Sequence, residues 1–323
     1  LDGADARHPM TAHNYGTTTC SAVEWAFVTD PAGSLKTLEL ERWPVDTKLA
    51  ANVELHARCR RPKPVAEFAA ARADLAAQLV QKGVTPLTDA EFVGCRLYTG
   101  PLFVKYNGVL RGAHGRVPAF VATMEEMCRG NLYATTLHTI ADGMRRLSLL
   151  TPCDQVYRGM SGGRLPPSFS EADPSGAVGG VEFGFMSTTR NKEVAFEYAQ
   201  RCGIVFEIEQ GMVDRGADLS WLSQYPHERE VCFGPCTALE CTGTTVSDAT
   251  IVVKLRPAVG GRQGRRAVDG AAAPPPPPKP AEPKTVVVYE NADEWRGFAL
   301  AEALHIVNQN ARNLDAIGRR LGM

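Results

Sequence analysis

In Tyr225-Pro226-His227-Glu228-Arg229-Glu230-Val231, two carboxylates stand one residue apart at the head of an apolar run. Side chains alternate along a strand, so on a strand Glu228 and Glu230 share one face, about 6 to 7 Å apart. Two acids this close raise one pKa and are costly when buried. Such a pair persists at a cleft wall, where a cation or hydroxyl partners each acid; a solvated strand face is the plainer alternative.

Working outward, three further features fit a cleft. Arg158 ends a Val156-Tyr157-Arg158-Gly159 strand, where apolar neighbours call for an anionic partner, a phosphate or a carboxylate. Gly159 permits close approach of a ligand to the backbone. Phe185-Met186-Ser187-Thr188-Thr189 ends a second strand just before a helix; Thr189 or Asn191 suits the helix cap, whereas Ser187 sits within the strand, where no cap is needed. The segment from Gly211 to Tyr225 has a loop composition and carries Trp221 immediately ahead of the acids.

The surrounding pattern gives the fold class. Helical stretches are expected at Val65 to Gln81, Ala90 to Arg96, Leu102 to Leu110, Phe120 to Cys128 and Leu132 to Leu149. In the last, Leu132, Leu137, Ile140, Met144 and Leu147 form the apolar face. Strands are expected at Val156 to Gly159, Val181 to Ser187, Ile204 to Ile208, Glu230 to Phe233, Ala238 to Cys241 and Thr250 to Leu255, with one helix at Lys192 to Arg201. Helices first and strands afterwards predict α+β rather than alternating α/β. Earlier still, Val23 to Val28 and Leu35 to Trp43 read as two short strands around the turn Asp30-Pro31-Ala32-Gly33.

The combination of an arginine strand, a strand ending in Ser-Thr-Thr and a Glu-x-Glu strand, in that order, resembles the arginine-type mono-ADP-ribosyltransferase family. The match lies in Tyr157-Arg158-Gly159, Ser187-Thr188-Thr189 and Glu228-Arg229-Glu230, with Leu97-Tyr98-Thr99, Asn107 and Leu110-Arg111 in the helical lead-in. Thr189 replaces the second serine of the family pattern and keeps a hydroxyl. The resemblance covers about residues 65 to 256 and implies a mixed β-sandwich split by an NAD cleft after the helical half. It implies NAD as substrate, no metal, and an acceptor protein bearing arginine. Catalytic roles carry over to Arg158, Ser187, Glu228 and Glu230. Glu230 would steady an oxocarbenium-like transition state and Glu228 would orient the target guanidinium. Arg158, Gly159, Ser187 and Thr188 would bind the dinucleotide, with Phe169 and Arg164 flanking it. Trp221 and Tyr225 would belong to the loop that recognises the acceptor. An NAD glycohydrolase and a noncatalytic NAD-binding scaffold module are the competing readings. A Rossmann enzyme is disfavoured, since Gly159-Met160-Ser161-Gly162-Gly163 has the wrong glycine spacing. A poly-ADP-ribose polymerase would be expected to carry His and Tyr where this chain has Arg158 and Ser187.

Composition sets the outer bounds. Among 323 residues, 35 Lys+Arg against 36 Asp+Glu give a net charge of -1, so no global positive field recruits nucleic acid. Hydrophobic residues at 44% allow a real core, and no apolar run approaches membrane-spanning length, so no membrane association is expected. Nine cysteines without a C-x-x-C pair favour a reducing cytoplasm, with secretion left open. Cys232, Cys236 and Cys241 lack a fourth ligand at zinc-site spacing and read as inert thiols. Leu1 in place of Met reads as the start of an excised fragment, any targeting peptide lying outside it.

The expected division is residues 1–64 as an N-terminal extension with a small β element, 65–256 as the catalytic domain, 257–290 as a Pro-rich linker and 291–323 as a C-terminal amphipathic helix. The linker contains Pro274 to Pro278, an extended semi-rigid spacer. In the terminal helix Leu300, Leu304, Val307, Ala311, Leu314 and Leu321 make a narrow apolar stripe over residues 293–321, suited to a helix partner.

Overall fold

A computed structural model describes residues 63–113, 117–161, 165, 167–173, 176–199, 203–247 and 249–258, together with Glu24, Trp25, Val28 and Thr29. The expected spacer, the terminal helix and the strand at Leu35 to Trp43 lie outside the described residues. After a 3-10 turn at Val65–Phe68 come five helices: α1 (Ala69–Gln81), α2 (Asp89–Tyr98), α3 (Phe103–Gly112), α4 (Pro118–Cys128) and α5 (Ala134–Ser148). The strands follow as β1 (Gln155–Met160), β2 (Gly179–Glu182), β3 (Met186–Thr189), β4 (Ile204–Glu209), β5 (Ala217–Asp218), β6 (Glu230–Phe233), β7 (Thr237–Ser247) and β8 (Thr250–Ala258), with α6 (Lys192–Ala199) after β3. The α+β order is therefore as expected. No helix among the described residues is long and apolar enough to cross a membrane.

All eight strands join one mixed sheet in the order β2-β7-β8-β4-β1-β3-β6-β5. Among the described strands, only β4 and β8 pair in parallel. The run expected as one strand from Val181 to Ser187 is two strands at distant places in this sheet, because Gly184 and its neighbours leave β2 to reach β3. Strand β8 continues through Arg256-Pro257, two residues past the boundary read from composition.

Two cores flank the sheet. One is shared with the helices and includes Phe92, Tyr98, Tyr106, Ile140, Met144 and Leu147, with Phe185, Leu222 and Cys232 from the strand half. The other lies among the strands and includes Val156, Met160, Phe206, Ile208, Val231 and Phe233. Along β6 the period of two sends Val231 and Phe233 to the strand core and Cys232 to the helical one.

Helix α2 is started by a capping box: Thr88 Oγ1 accepts the Glu91 N–H at 3.2 Å, and Glu91 Oε2 accepts the Thr88 N–H at 2.7 Å. The same Glu91 carboxylate meets Arg146 of α5 at 2.8 Å, which docks the two helices. Leu132 does not join the apolar face of α5: it precedes the helix and is 54% exposed, the chain entering through Tyr133 in a left-handed conformation. The strand expected at Val23 to Val28 is also corrected. Glu24, Trp25, Val28 and Thr29 are helical, with Thr29 Oγ1 donating to the Trp25 carbonyl one turn back. Trp25 and Val28 both pack on the helical core, so burial at a spacing of three outweighs the β-branched character of this run.

Helix α3 fixes where β3 begins. Asn107 accepts the Phe185 N–H at 2.8 Å and donates to the Phe185 carbonyl at 3.2 Å, as a strand neighbour would. Arg111 donates to Glu182 at 2.9 Å, both side chains almost fully buried, and Glu182 also takes the Gly184 N–H at 2.7 Å. Replacing Arg111 by Met leaves Glu182 buried without this cation. The expected loss is about 3 kcal/mol, the lower end for a broken buried pair because Arg158 also faces Glu182. A urea unfolding midpoint equal to the parent's would show the pair to be without net effect.

Candidate active site

Arg158, Ser187, Glu228 and Glu230 border one small recess of about 30 Å³, with Tyr157, Gly159, Thr188, Thr189 and Tyr198 also at its walls. Strands β1, β3 and β6 bring them there. Thr189 stands opposite Tyr157 on one side and Glu230 on the other, and Ser187 stands opposite Cys232.

Arg158 follows the parity of Val156 and Met160, which belong to the strand core. Its Nη1 reaches the Ser187 carbonyl at 2.7 Å. Burial lowers its pKa and the Glu182 carboxylate works the other way. Ser187 Oγ lies 2.9 Å from the Tyr98 hydroxyl at the end of α2, so the helical half holds the serine from behind. Burial raises the Tyr98 phenol well above its ordinary value.

Glu230 is 6% exposed. Burial first and the neighbouring Glu228 second push it up to about 8, while the Ser187 hydroxyl and the Arg158 guanidinium pull it down. A carboxyl so placed sits near the boundary between proton donor and anion at neutral pH. Glu228 is half-buried; burial raises its pKa too, and a hydrogen bond from Tyr198 of α6 lowers it.

The two acids do not share a face of one strand. Pro226–Glu228 form a 3-10 turn, Arg229 is left-handed with φ 48°, and β6 starts only at Glu230. Proline at the start of a helical turn has its φ pre-set at about −65°, and the turn closes with the Glu228 N–H on the Tyr225 carbonyl at 3.1 Å. The backbone reversal, not strand alternation, brings both carboxylates to the recess.

Gly159 lines the recess, where a ligand was expected to approach its backbone, and it also has a packing role. A Cβ there would fall 1.7 Å from the Ala195 carbonyl oxygen, so the glycine lets α6 lie directly against β1. Thr188 borders the recess but its hydroxyl is given to the Val231 carbonyl. Thr189 donates to the Glu228 carbonyl and accepts the Asn191 N–H, while Asn191 Oδ1 accepts the Glu193 N–H at 3.0 Å in the capping position.

Three of the expected site side chains do not border the recess. Phe169 is 3% exposed and stacks on Phe206 at 5.9 Å in the strand core, the larger gain for a full aromatic ring. Trp221 turns back onto the helices, 5.7 Å from the Phe92 ring and 6.5 Å from Phe68, where burial outweighs exposure on a loop. Tyr225 is partly buried against His227 outside the recess. Arg164 lies outside the described residues.

Tyr98 and Tyr198 touch candidate site residues, a place that the sequence reading did not give them. Tyr98 carried a signal in Leu97-Tyr98-Thr99, but its contact with Ser187 spans 89 positions. Tyr198 carried none, since its partner lies 30 positions away in a turn read as a strand.

The chain matches the model of the NAD:arginine ADP-ribosyltransferase family over residues 66–259. A search of curated proteins finds no match. Among solved structures, the chain is similar to the ADP-ribosyltransferase HopU1 of Pseudomonas syringae pv. tomato, at 22% identity and a TM-score of 0.42, covering 59% of this chain and 84% of that one. It is similar to the Vis toxin, an ADP-ribosyltransferase from Vibrio splendidus, at 14% identity and a TM-score of 0.40, covering 62% and 88%. The eucaryotic mono-ADP-ribosyltransferase ART2.2 aligns at 18% identity and a TM-score of 0.35, covering 59% and 78%. With the family match spanning more than half of its 323 residues, the chain belongs to the NAD:arginine ADP-ribosyltransferase family.

Proposed function

We propose that this chain cleaves NAD at the nicotinamide–ribose bond and transfers ADP-ribose to an arginine of an acceptor protein. The observation that carries the reading is the meeting, at one recess, of two carboxylates in different environments with a buried guanidinium and a strand serine. Family membership supplies the transferase class and NAD as the substrate.

In the reaction, the bond between the nicotinamide nitrogen and the ribose C1′ breaks, and its electron pair leaves with nicotinamide. Nicotinamide departs neutral and needs no general acid. The positive charge that builds on the ribose calls for a nearby anion in a water-poor place. Glu230 is the more deeply buried acid and takes that role. Its raised pKa holds it near the boundary between the neutral and ionised forms in the free protein, and the cationic nicotinamide ring favours the ionised form. Arg158 faces the anionic parts of the dinucleotide, and Ser187 bridges between the two. Glu228, nearer the surface, accepts from the guanidinium of the incoming arginine, whose nitrogen forms the new bond to C1′ and then releases a proton.

A glycohydrolase would pass the same ribosyl cation to water, for which a second carboxylate at the mouth has no evident use. Incubation with NAD and agmatine distinguishes the two: an ADP-ribosyl–agmatine conjugate is expected, and free ADP-ribose alone would overturn the arginine assignment.

The roles separate by mutation. Glu230→Gln keeps the shape and removes the charge, so nicotinamide release should fall about 10²-fold or more, read by chromatography of released nicotinamide. Glu228→Gln should depress conjugation to agmatine at least about tenfold more than nicotinamide release, the scale of one lost charge-assisted hydrogen bond. Equal losses in both would remove Glu228 from acceptor binding.

Acidity gives a third check. Glu230 must be ionised to act, so kcat/KM for nicotinamide release should climb with pH toward about 8. Stability should run the other way. Between its ordinary 4.5 and about 8 the folded state keeps a proton that the unfolded chain has lost, so stability falls as pH rises through that window. Thermal melts across this range should show a shallower fall for Glu230→Gln than for the parent; parallel curves would mean that Glu230 is not perturbed.

A further inference from the structure

We propose that Tyr198 is a positioning residue of the acceptor subsite, its hydroxyl holding the Glu228 carboxylate in the orientation that receives a guanidinium. The inference rests on the arginine-transfer reading above and deepens it.

Glu228 stands on a short turn rather than on a strand, followed by the left-handed Arg229, so the sheet does not fix its side chain. The one hydrogen bond to its carboxylate among the described residues comes from Tyr198, onto Oε1. That bond leaves Oε2 and the remaining lone pairs for an incoming donor. Tyr198 is itself well anchored. It lies near the end of α6, about one turn beyond Val194 and Ala195 at the recess wall, and α6 is seated on β1 through the bare backbone of Gly159. The phenol remains 36% exposed, so it stands at the mouth, where an acceptor side chain enters.

The hydroxyl also sets the charge of its partner. Burial pushes the Glu228 carboxyl up, and the Tyr198 bond is what lowers it. The other titratable groups around the pair are Tyr225 on the preceding loop and Glu230 at the head of β6, with Arg158 of β1 facing Glu230. None of these replaces the Tyr198 donor at Oε1. Without the phenol hydroxyl, Glu228 loses both its orientation and part of its preference for the ionised form that a guanidinium needs.

The test is Tyr198→Phe, which keeps the ring and its packing, assayed with NAD in the whole 323-residue chain. Initial rates of agmatine conjugation and of nicotinamide release without acceptor are measured across pH. The KM for agmatine should rise about tenfold, the effect of one hydrogen bond to a charged group. The ratio of conjugation to hydrolysis should fall with it, and the rising limb of the conjugation profile should move to higher pH. Circular dichroism and a thermal melt report that the variant is folded. In a Glu228→Gln background the same Tyr198→Phe change should add no further loss at the agmatine step, which a general packing defect would not spare. If the parent forms conjugate and Tyr198→Phe matches it in KM and pH profile, the positioning role is overturned while arginine transfer stands. If the parent releases nicotinamide and forms no conjugate, the arginine reading falls and takes this inference with it.

Discussion

The sheet is weakest at the candidate site. Strand β1 pairs with β4 over six residues, yet it meets β3 at a single registered pair, Tyr157 with Thr189. Across that seam Arg158 extends its guanidinium to the Ser187 carbonyl, a charged donor on a backbone acceptor inside the protein. Along the ladder itself, the two blocks of sheet are thus joined by one registered pair and one buried cation. A recess can open between them because the ladder is nearly absent there, and the cation that bridges the seam is also the positive charge of the site.

Everything around the seam limits how far the two blocks can move apart. The Asn107 and Arg111 contacts from α3 hold the approach to β3, Tyr98 from α2 holds Ser187, and α6 lies against β1 without intervening side-chain bulk. On the far side, Arg190 spans to Asp154 at 3.1 Å and also to Asp218, joining the ends of β3, β1 and β5. These contacts hold in place two carboxyls whose pKa values burial has raised. Acids in that condition weaken a fold, and such local cost at a site is the ordinary signature of groups kept for reactivity rather than for stability.

Much of this architecture was legible in the sequence, and the failures have physical causes. Helical periodicity in α1 to α5 and apolar runs in the strands report burial directly, so their existence and type were readable. That Arg158, Ser187 and Glu230 would meet at one recess was expected from their combination and order along the chain, since each alone admits a plainer structural reading. The Val23 to Val28 run was misread because packing of Trp25 and Val28 on distant helices overrides local preference. Phe169 was expected beside the cofactor and Trp221 on the acceptor loop, although large rings gain more from the core. The Gly159 contact and the Tyr198 bond depend on how α6 lies over β1, a relation between elements that no spacing along the chain encodes.

The left-handed backbone at Arg229 has a bearing on engineering. A pair of acids copied onto an uninterrupted strand of another scaffold would line up side by side on its surface, both equally wet, and would reproduce the motif as text without reproducing the arrangement. A successful transplant has to carry the reversal too, with glycine or asparagine as the residues best able to stand in for Arg229.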